Sequence, residues 1–169
     1  MADESKPVVI VTGSSGYLGA AVVRRLHGCY RVVGLDRYSP PHPPHQAECV
    51  CFDITDQASI DTALDRVRLA YGDRIAACIH LAGYFDLSGE DDPAYDAVTV
   101  EGSKRLMKGL QGFELEQFVF ASTMLAHAPT EPGEPIDAAH PLDPRFPYRA
   151  SKVRTESAPA QGRRGAKPE

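Results

Sequence analysis

Apolar residues along this chain come in short blocks that alternate between two periods. Val8-Val9-Ile10-Val11 is an unbroken apolar run, the pattern of a strand buried on both faces. Leu18, Ala21, Val22 and Leu26 then recur at helical spacing. Residues 31–35 (RVVGL), 49–53 (CVCFD), 75–81 (IAACIHL) and 117–121 (QFVFA) read as four more strands. Ahead of the fourth strand, Ile60, Ala63, Leu64, Val67 and Tyr71 form one helical stripe, with Thr55 or Asp56 as its cap. Val98, Leu106, Met107 and Leu110 mark a helix within 94–111, and a last helix is predicted from about Tyr148. Strands that alternate with helices predict a mostly parallel sheet, about five strands wide, with helices on both faces.

Two segments interrupt the alternation. Residues 38–48 (YSPPHPPHQAE) and 129–147 are proline-rich, which removes backbone donors and fixes φ, so both are predicted as loops. His42 and His45, in the first of them, read as solvated loop residues rather than metal ligands. From Ser157 to Glu169 apolar periodicity is lost, and Pro159, Gly162, Arg163-Arg164, Gly165 and Pro168 predict a disordered tail. The expected organisation is one folded domain over 1–156 followed by that tail.

Composition narrows the classes of function. A chain of 169 residues is long enough for one domain with a sizeable core. A formal charge of −5 and a pI near 5.7 argue against an electrostatic nucleic-acid binder. The N-terminal MADESKPVVIVTG starts acidic and holds too short an apolar run for a signal peptide or a membrane span, which makes a cytoplasmic location the default expectation. Cys29, Cys49, Cys51 and Cys78 lack the spacing of paired zinc half-sites. They read as buried or half-buried thiols in strands, with no structural metal and no disulfide.

The chemistry begins between the first strand and the first helix, at Thr12-Gly13-Ser14-Ser15-Gly16-Tyr17-Leu18-Gly19. Glycine patterns are common, and the position of this one is what informs. Gly13 permits a tight turn, Gly16 lets a pyrophosphate approach the backbone, and Gly19 allows close packing of the helix. The helix N-terminus then offers N–H donors and a favourable dipole to phosphate. Asp36 ends the second strand, 17 residues after Gly19, where an acid can accept hydrogen bonds from adenosine ribose hydroxyls. It would repel a 2′-phosphate and so favours NAD over NADP, although the neighbouring Arg37 could hold such a phosphate. Asp53-Ile54, after the third strand, is either an adenine bracket or a simple turn.

Six pieces in order, over residues 7–156, carry a resemblance: TGSSGYLG at 12–19, LDR at 35–37, DIT at 53–55, HLAG at 80–83, FAST at 120–123 and PYRASK at 147–152. Together they resemble the extended short-chain dehydrogenase/reductase family, particularly its NAD-dependent epimerase/dehydratase branch. The resemblance implies a Rossmann-type, doubly wound α/β domain over 1–156 that binds NAD. It implies cofactor contacts from Gly13, Ser15, Gly16, Tyr17, Leu18, Asp36, Arg37, Asp53, Ile54, Leu81, Ala82, Gly83, Tyr148 and Lys152. Tyr148 would be the general acid/base. A free phenol titrates near about pH 10, and an ammonium at i+4, Lys152, can stabilise its phenolate. Thr123 would hydrogen-bond the reacting oxygen, with Ser122 as the competitor, because only one of two adjacent strand side chains faces the cleft. His80 is either part of a cofactor-side loop or a packed strand end.

There are departures from the family. Thr99 and Ser103 stand where asparagine and threonine are common, and His127 stands where tyrosine is common. The family also continues beyond the tyrosine–lysine helix with further strands and a substrate region. The abrupt end of the resemblance leads us to expect a truncation or shifted reading frame relative to a longer ancestor. An uncovered fifth strand and exposed apolar faces would then favour self-association. Family habit implies a homodimer through the helices at 94–111 and 148 onward. The functions to separate are an NAD-dependent epimerase/dehydratase acting on a small-molecule alcohol or carbonyl such as a nucleotide-sugar, and a non-catalytic NAD-binding fragment or redox-responsive module.

Overall fold

The computed structural model describes residues 6–38, 46–86 and 88–157. His42, His45 and almost all of the predicted tail lie outside them. The elements alternate as β1 (Val8–Thr12), α1 (Tyr17–Leu26), β2 (Arg31–Asp36), β3 (Ala47–Cys51), α2 (Gln57–Tyr71) and β4 (Arg74–His80). A π-helical stretch, Tyr95–Val100, then runs into α3 (Glu101–Leu110), followed by β5 (Glu114–Phe120), a short 3-10 turn (Met124–Ala126) and α4 (Pro147–Glu156). All the strand pairings of the sheet are parallel, in the order β3-β2-β1-β4-β5. This is a Rossmann-type, doubly wound sheet. Its order reverses between β1 and β4, so both chains leaving that point open a crevice at the carboxyl ends of the strands.

Alternation along β1 sends Val8 and Ile10 to one face and Val9 and Val11 to the other. The first face packs with Val33, Leu35, Ile75 and Cys78 under Ile60, Leu64 and Val67 of α2 and Leu106 and Leu110 of α3. The second packs Val9, Val11 and Val32 under Val22, Val23 and Leu26 of α1. Helix α1 thus buries Gly19 and Val23, with Leu18 and Ala21 on the outside. Val22 and Leu26 of the predicted stripe pack on this face, whereas Leu18 and Ala21 do not, because Gly19 rather than an apolar side chain makes the closest approach.

Other boundaries also differ from the sequence pattern. β3 runs over 47–51 rather than 49–53, since Val32 pairs with Ala47 and the half-buried Glu48 bonds Tyr71 and Arg66 of α2. β5 begins at Glu114, where Glu116 answers Arg74 across the ladder and gives its first half a polar reading. Asp56, not Thr55, caps α2 by accepting from the Ala58 and Ser59 N–H groups. Among the cysteines, Cys78 is buried and Cys49 half-buried, but Cys51 is exposed and Cys29 lies exposed in the turn after α1, outside any strand.

Candidate active site

At the end of β1 the chain turns at Gly13 with φ +68°, a conformation that L side chains rarely adopt. A Cβ there would also meet the Ala82 backbone nitrogen at 2.9 Å. The Gly16 N–H closes the turn on the Gly13 carbonyl at 3.1 Å. A Cβ on Gly19 would lie 2.1 Å from that carbonyl oxygen, so α1 rests directly on the turn. Gly16 caps α1 with no side-chain bond, and the first turn carries no acid. The free N–H groups and the positive end of the helix are thus left for an anion, and the turn fits a pyrophosphate. Tyr17 and Leu18 are exposed on that first turn. The buried Ser14 hydroxyl faces β2, where a Cβ on Gly34 would lie 2.5 Å from its oxygen.

Asp36 stands beside this turn. Its carboxylate accepts the Ser15 N–H at 2.8 Å and the Tyr38 N–H at 3.3 Å, while the Ser15 hydroxyl donates to the Tyr38 carbonyl. The acid is thereby fixed beside the glycine turn, with lone pairs left to accept further donors. Arg37 stacks its guanidinium over the exposed Tyr38 ring at 5.1 Å. Asp53 accepts the Thr55 N–H and hydroxyl, which holds its carboxyl below the usual range, with a small contribution from Arg37. Its own N–H donates to Ser59, so Asp53 shapes the entry to α2. The Ile54 side chain is buried against the site of Gly102.

The loop after β4 joins the two halves of the site. The Leu81 N–H donates to the Thr12 carbonyl and the Ala82 N–H to the Thr12 hydroxyl. A Cβ on Gly83 would lie 3.3 Å from the Lys152 ammonium. Gly13, Ala82, Gly83 and Lys152 therefore follow one another across the crevice.

Tyr148 sits in the first turn of α4, after a proline at its first position. Phe85 meets its ring edge-on at 4.9 Å and Tyr95 lies 6.5 Å away. Burial, with a smaller contribution from Tyr95, raises the phenol above its ordinary value. Lys152 is buried one turn on. Its ammonium donates to the Ala121 carbonyl at 2.9 Å and lies 4.8 Å from the Phe120 ring centre and 5.8 Å from that of Tyr148. Burial lowers its pKa. The i+4 spacing brings lysine and tyrosine together, but here the ammonium is tied to the end of β5 and the phenol stays above its ordinary value. Thr123 is half-buried and its hydroxyl accepts the Leu125 N–H at 3.3 Å, while Ser122 is exposed. Both line a hollow of about 290 Å³ with Met124, Ala126, His127 and Glu156.

Sequence reasoning did not single out Tyr84, Phe85 or Ala121. Tyr84 bonds Asp92 and packs edge-on against Tyr95, which folds the segment beside Tyr148. Neither periodicity nor a motif marks Tyr84 or Phe85, and Ala121 falls within FAST without its carbonyl being marked, because the role of all three comes from contacts between segments.

Comparison with known proteins agrees with this geometry. The model of the "NAD dependent epimerase/dehydratase family" matches residues 9–161. A UDP-glucose 4-epimerase of Mycolicibacterium smegmatis is 31% identical over 156 residues, 87% of this chain and 48% of the relative. A 3-beta-hydroxysteroid dehydrogenase of Mycolicibacterium neoaurum is 32% identical over 117 residues, 68% of this chain and 31% of that protein. Among solved structures, a short-chain dehydrogenase/reductase superfamily protein from Agrobacterium tumefaciens, with bound NAD, matches at 28% identity and a TM-score of 0.71, over 88% of this chain and 43% of that one. A doubly wound sheet with a glycine turn at its switch point defines a dinucleotide-binding α/β domain. This chain belongs to the NAD-dependent epimerase/dehydratase family. It spans about half the length of the epimerase relative it matches.

Proposed function

We propose that this chain carries the NAD-binding half of an epimerase/dehydratase-type oxidoreductase, with a nucleotide-sugar as the substrate class. The observation that carries the reading is the bridge across the crevice: the loop 81–83 packs on Gly13 on one side and against Lys152 on the other. A phosphate-binding turn and the Tyr148–Lys152 helix therefore address one site. Bound NAD would supply a hydride acceptor for a substrate C–H. On this reading Tyr148 Oη takes the proton of the substrate hydroxyl, Thr123 donates a hydrogen bond to the same oxygen, and Asp36 holds the adenosine ribose. Loss of that hydride and proton leaves a ketone, from which epimerisation, elimination or release can follow. Lys152 would hold the nicotinamide ribose. It also has to turn its ammonium from the Ala121 carbonyl toward the phenol before Tyr148 ionises near neutral pH.

The raised phenol and the tied lysine favour a second reading, an NAD-binding module without turnover. Calorimetric titration followed by NADH formation over a panel of nucleotide-sugars separates the two. The catalytic reading expects NAD to bind at least about tenfold more tightly than NADP, since Asp36 repels a 2′-phosphate, and Asp36→Ala to narrow that gap. It expects Tyr148→Phe to lower turnover by about two to four orders of magnitude with NAD affinity retained. NAD binding with no turnover on any sugar supports the module, and no NAD binding overturns both.

A further inference from the structure

His80, fully buried at the end of β4, lies where four site-bearing segments meet, and its hydrogen bonds have only one consistent direction. The Thr99 carbonyl can only accept, so the Ser103 hydroxyl bonded to it must donate. The Ser103 oxygen, 2.8 Å from His80 Nε2, then receives the ring N–H. In a neutral imidazole this leaves Nδ1 bare. The Thr12 hydroxyl, 2.6 Å away, donates to it and keeps a lone pair for the Ala82 N–H at 3.1 Å. Thr99 extends the chain: its hydroxyl accepts the Tyr84 N–H at 3.0 Å, and its carbonyl lies 3.2 Å from the Thr155 hydroxyl of α4. Phe118 and Phe120 pack on the ring from β5, and burial, with the nearby Lys152 ammonium second, opposes a charge on it.

We propose that His80 is a positioning residue, held as the neutral Nε2–H imidazole, that fixes the loop 81–84 to the glycine turn on one side and to α3 and α4 on the other. The inference rests on the NAD-site reading, because the loop it fixes lies between Gly13 and Lys152. Thr99 and Ser103, which depart from the family's common residues, are its working partners here. A buried polar chain of this kind is costly to leave half-satisfied, which ties the loop's geometry to one ring orientation.

Long-range proton–nitrogen NMR of the parent chain, without cofactor, tests the tautomer. The expected result is a protonated Nε2 and a bare Nδ1 that persist between about pH 5 and about pH 8. A protonated Nδ1, or a ring that titrates in that range, overturns the proposal. NAD calorimetry tests the role. His80→Gln keeps one acceptor and one donor and is expected to stay within about threefold of the parent Kd, whereas folded His80→Phe weakens binding about tenfold. Leu64→Ala, on the core face of α2, supplies a comparable loss of stability with an unchanged Kd. A folded His80→Phe that binds like the parent overturns the positioning role. A parent chain that binds no NAD overturns the cofactor reading and the role built on it, and the tautomer result then stands by itself.

Discussion

At the scale of single residues, the site is governed by which polar groups are already engaged. Asp36 is anchored by two backbone N–H groups, and Lys152 is turned to the Ala121 carbonyl. His80 gives a measurable consequence. Burial first, and the Lys152 charge second, depress its folded pKa from 6.5 to about 3. Between those values the unfolded chain binds a proton that the folded chain does not. The neutral ring's contribution is therefore complete above about pH 6.5 and is lost as pH falls toward about 3. Urea unfolding of the parent should weaken across this window more steeply than that of His80→Phe, by up to about 1.4 kcal/mol per pH unit. Parallel profiles would refute the assignment. The motif at 80–83 was legible in the sequence, but the ring's partners were not, because Thr12 and Ser103 lie 68 residues before it and 23 after it.

At the scale of elements, the decisive fit is α1 on the glycine turn. Gly19→Ala would place a methyl group 2.1 Å from the Gly13 oxygen, a contact with backbone that cannot swing aside. The expected cost is about 1–3 kcal/mol, with weakened NAD binding. Gly28→Ala, where nothing lies within 4 Å, is the control and should unfold like the parent in urea. Periodicity located all the strands and the main helices, since a parallel sheet buried on both faces writes its strands as apolar runs. It missed what depends on partners: the two-residue shift of β3, the polar start of β5 and the π-helical entry to α3. The apolar stripe of α2 was read correctly because its buried residues, Ile60, Ala63, Leu64 and Val67, all face one cluster.

At the scale of the whole molecule, the two faces of the sheet are covered unequally. Helices α2 and α3 close one face, while among the described residues α1 is the only helix packed on the other. A groove of about 800 Å³ remains beside it, with Val9, Leu26, Ala77, Ile79 and Val119 in its lining. Among the described residues β5 pairs only with β4, so its outer edge is open as well. Both features favour association. Sedimentation velocity is expected to record concentration-dependent self-association that Val119→Lys reduces, and a clean monomer at all concentrations would contradict this. No described helix is long and apolar enough to cross a membrane.

The sequence by itself determined the alternating parallel architecture, the glycine turn, the acid at the end of β2 and the helix bearing Tyr148 and Lys152. Each of these is a local pattern in which neighbours along the chain are also neighbours in space. Only the tertiary structure decided how the halves of the site meet: Ala82 against Gly13, Gly83 against Lys152, Phe85 against Tyr148, and His80 bonded to Thr12 and Ser103. Those contacts join segments far apart in sequence, and a hydrogen bond or a close approach between such segments leaves no period in the chain for a reader to find.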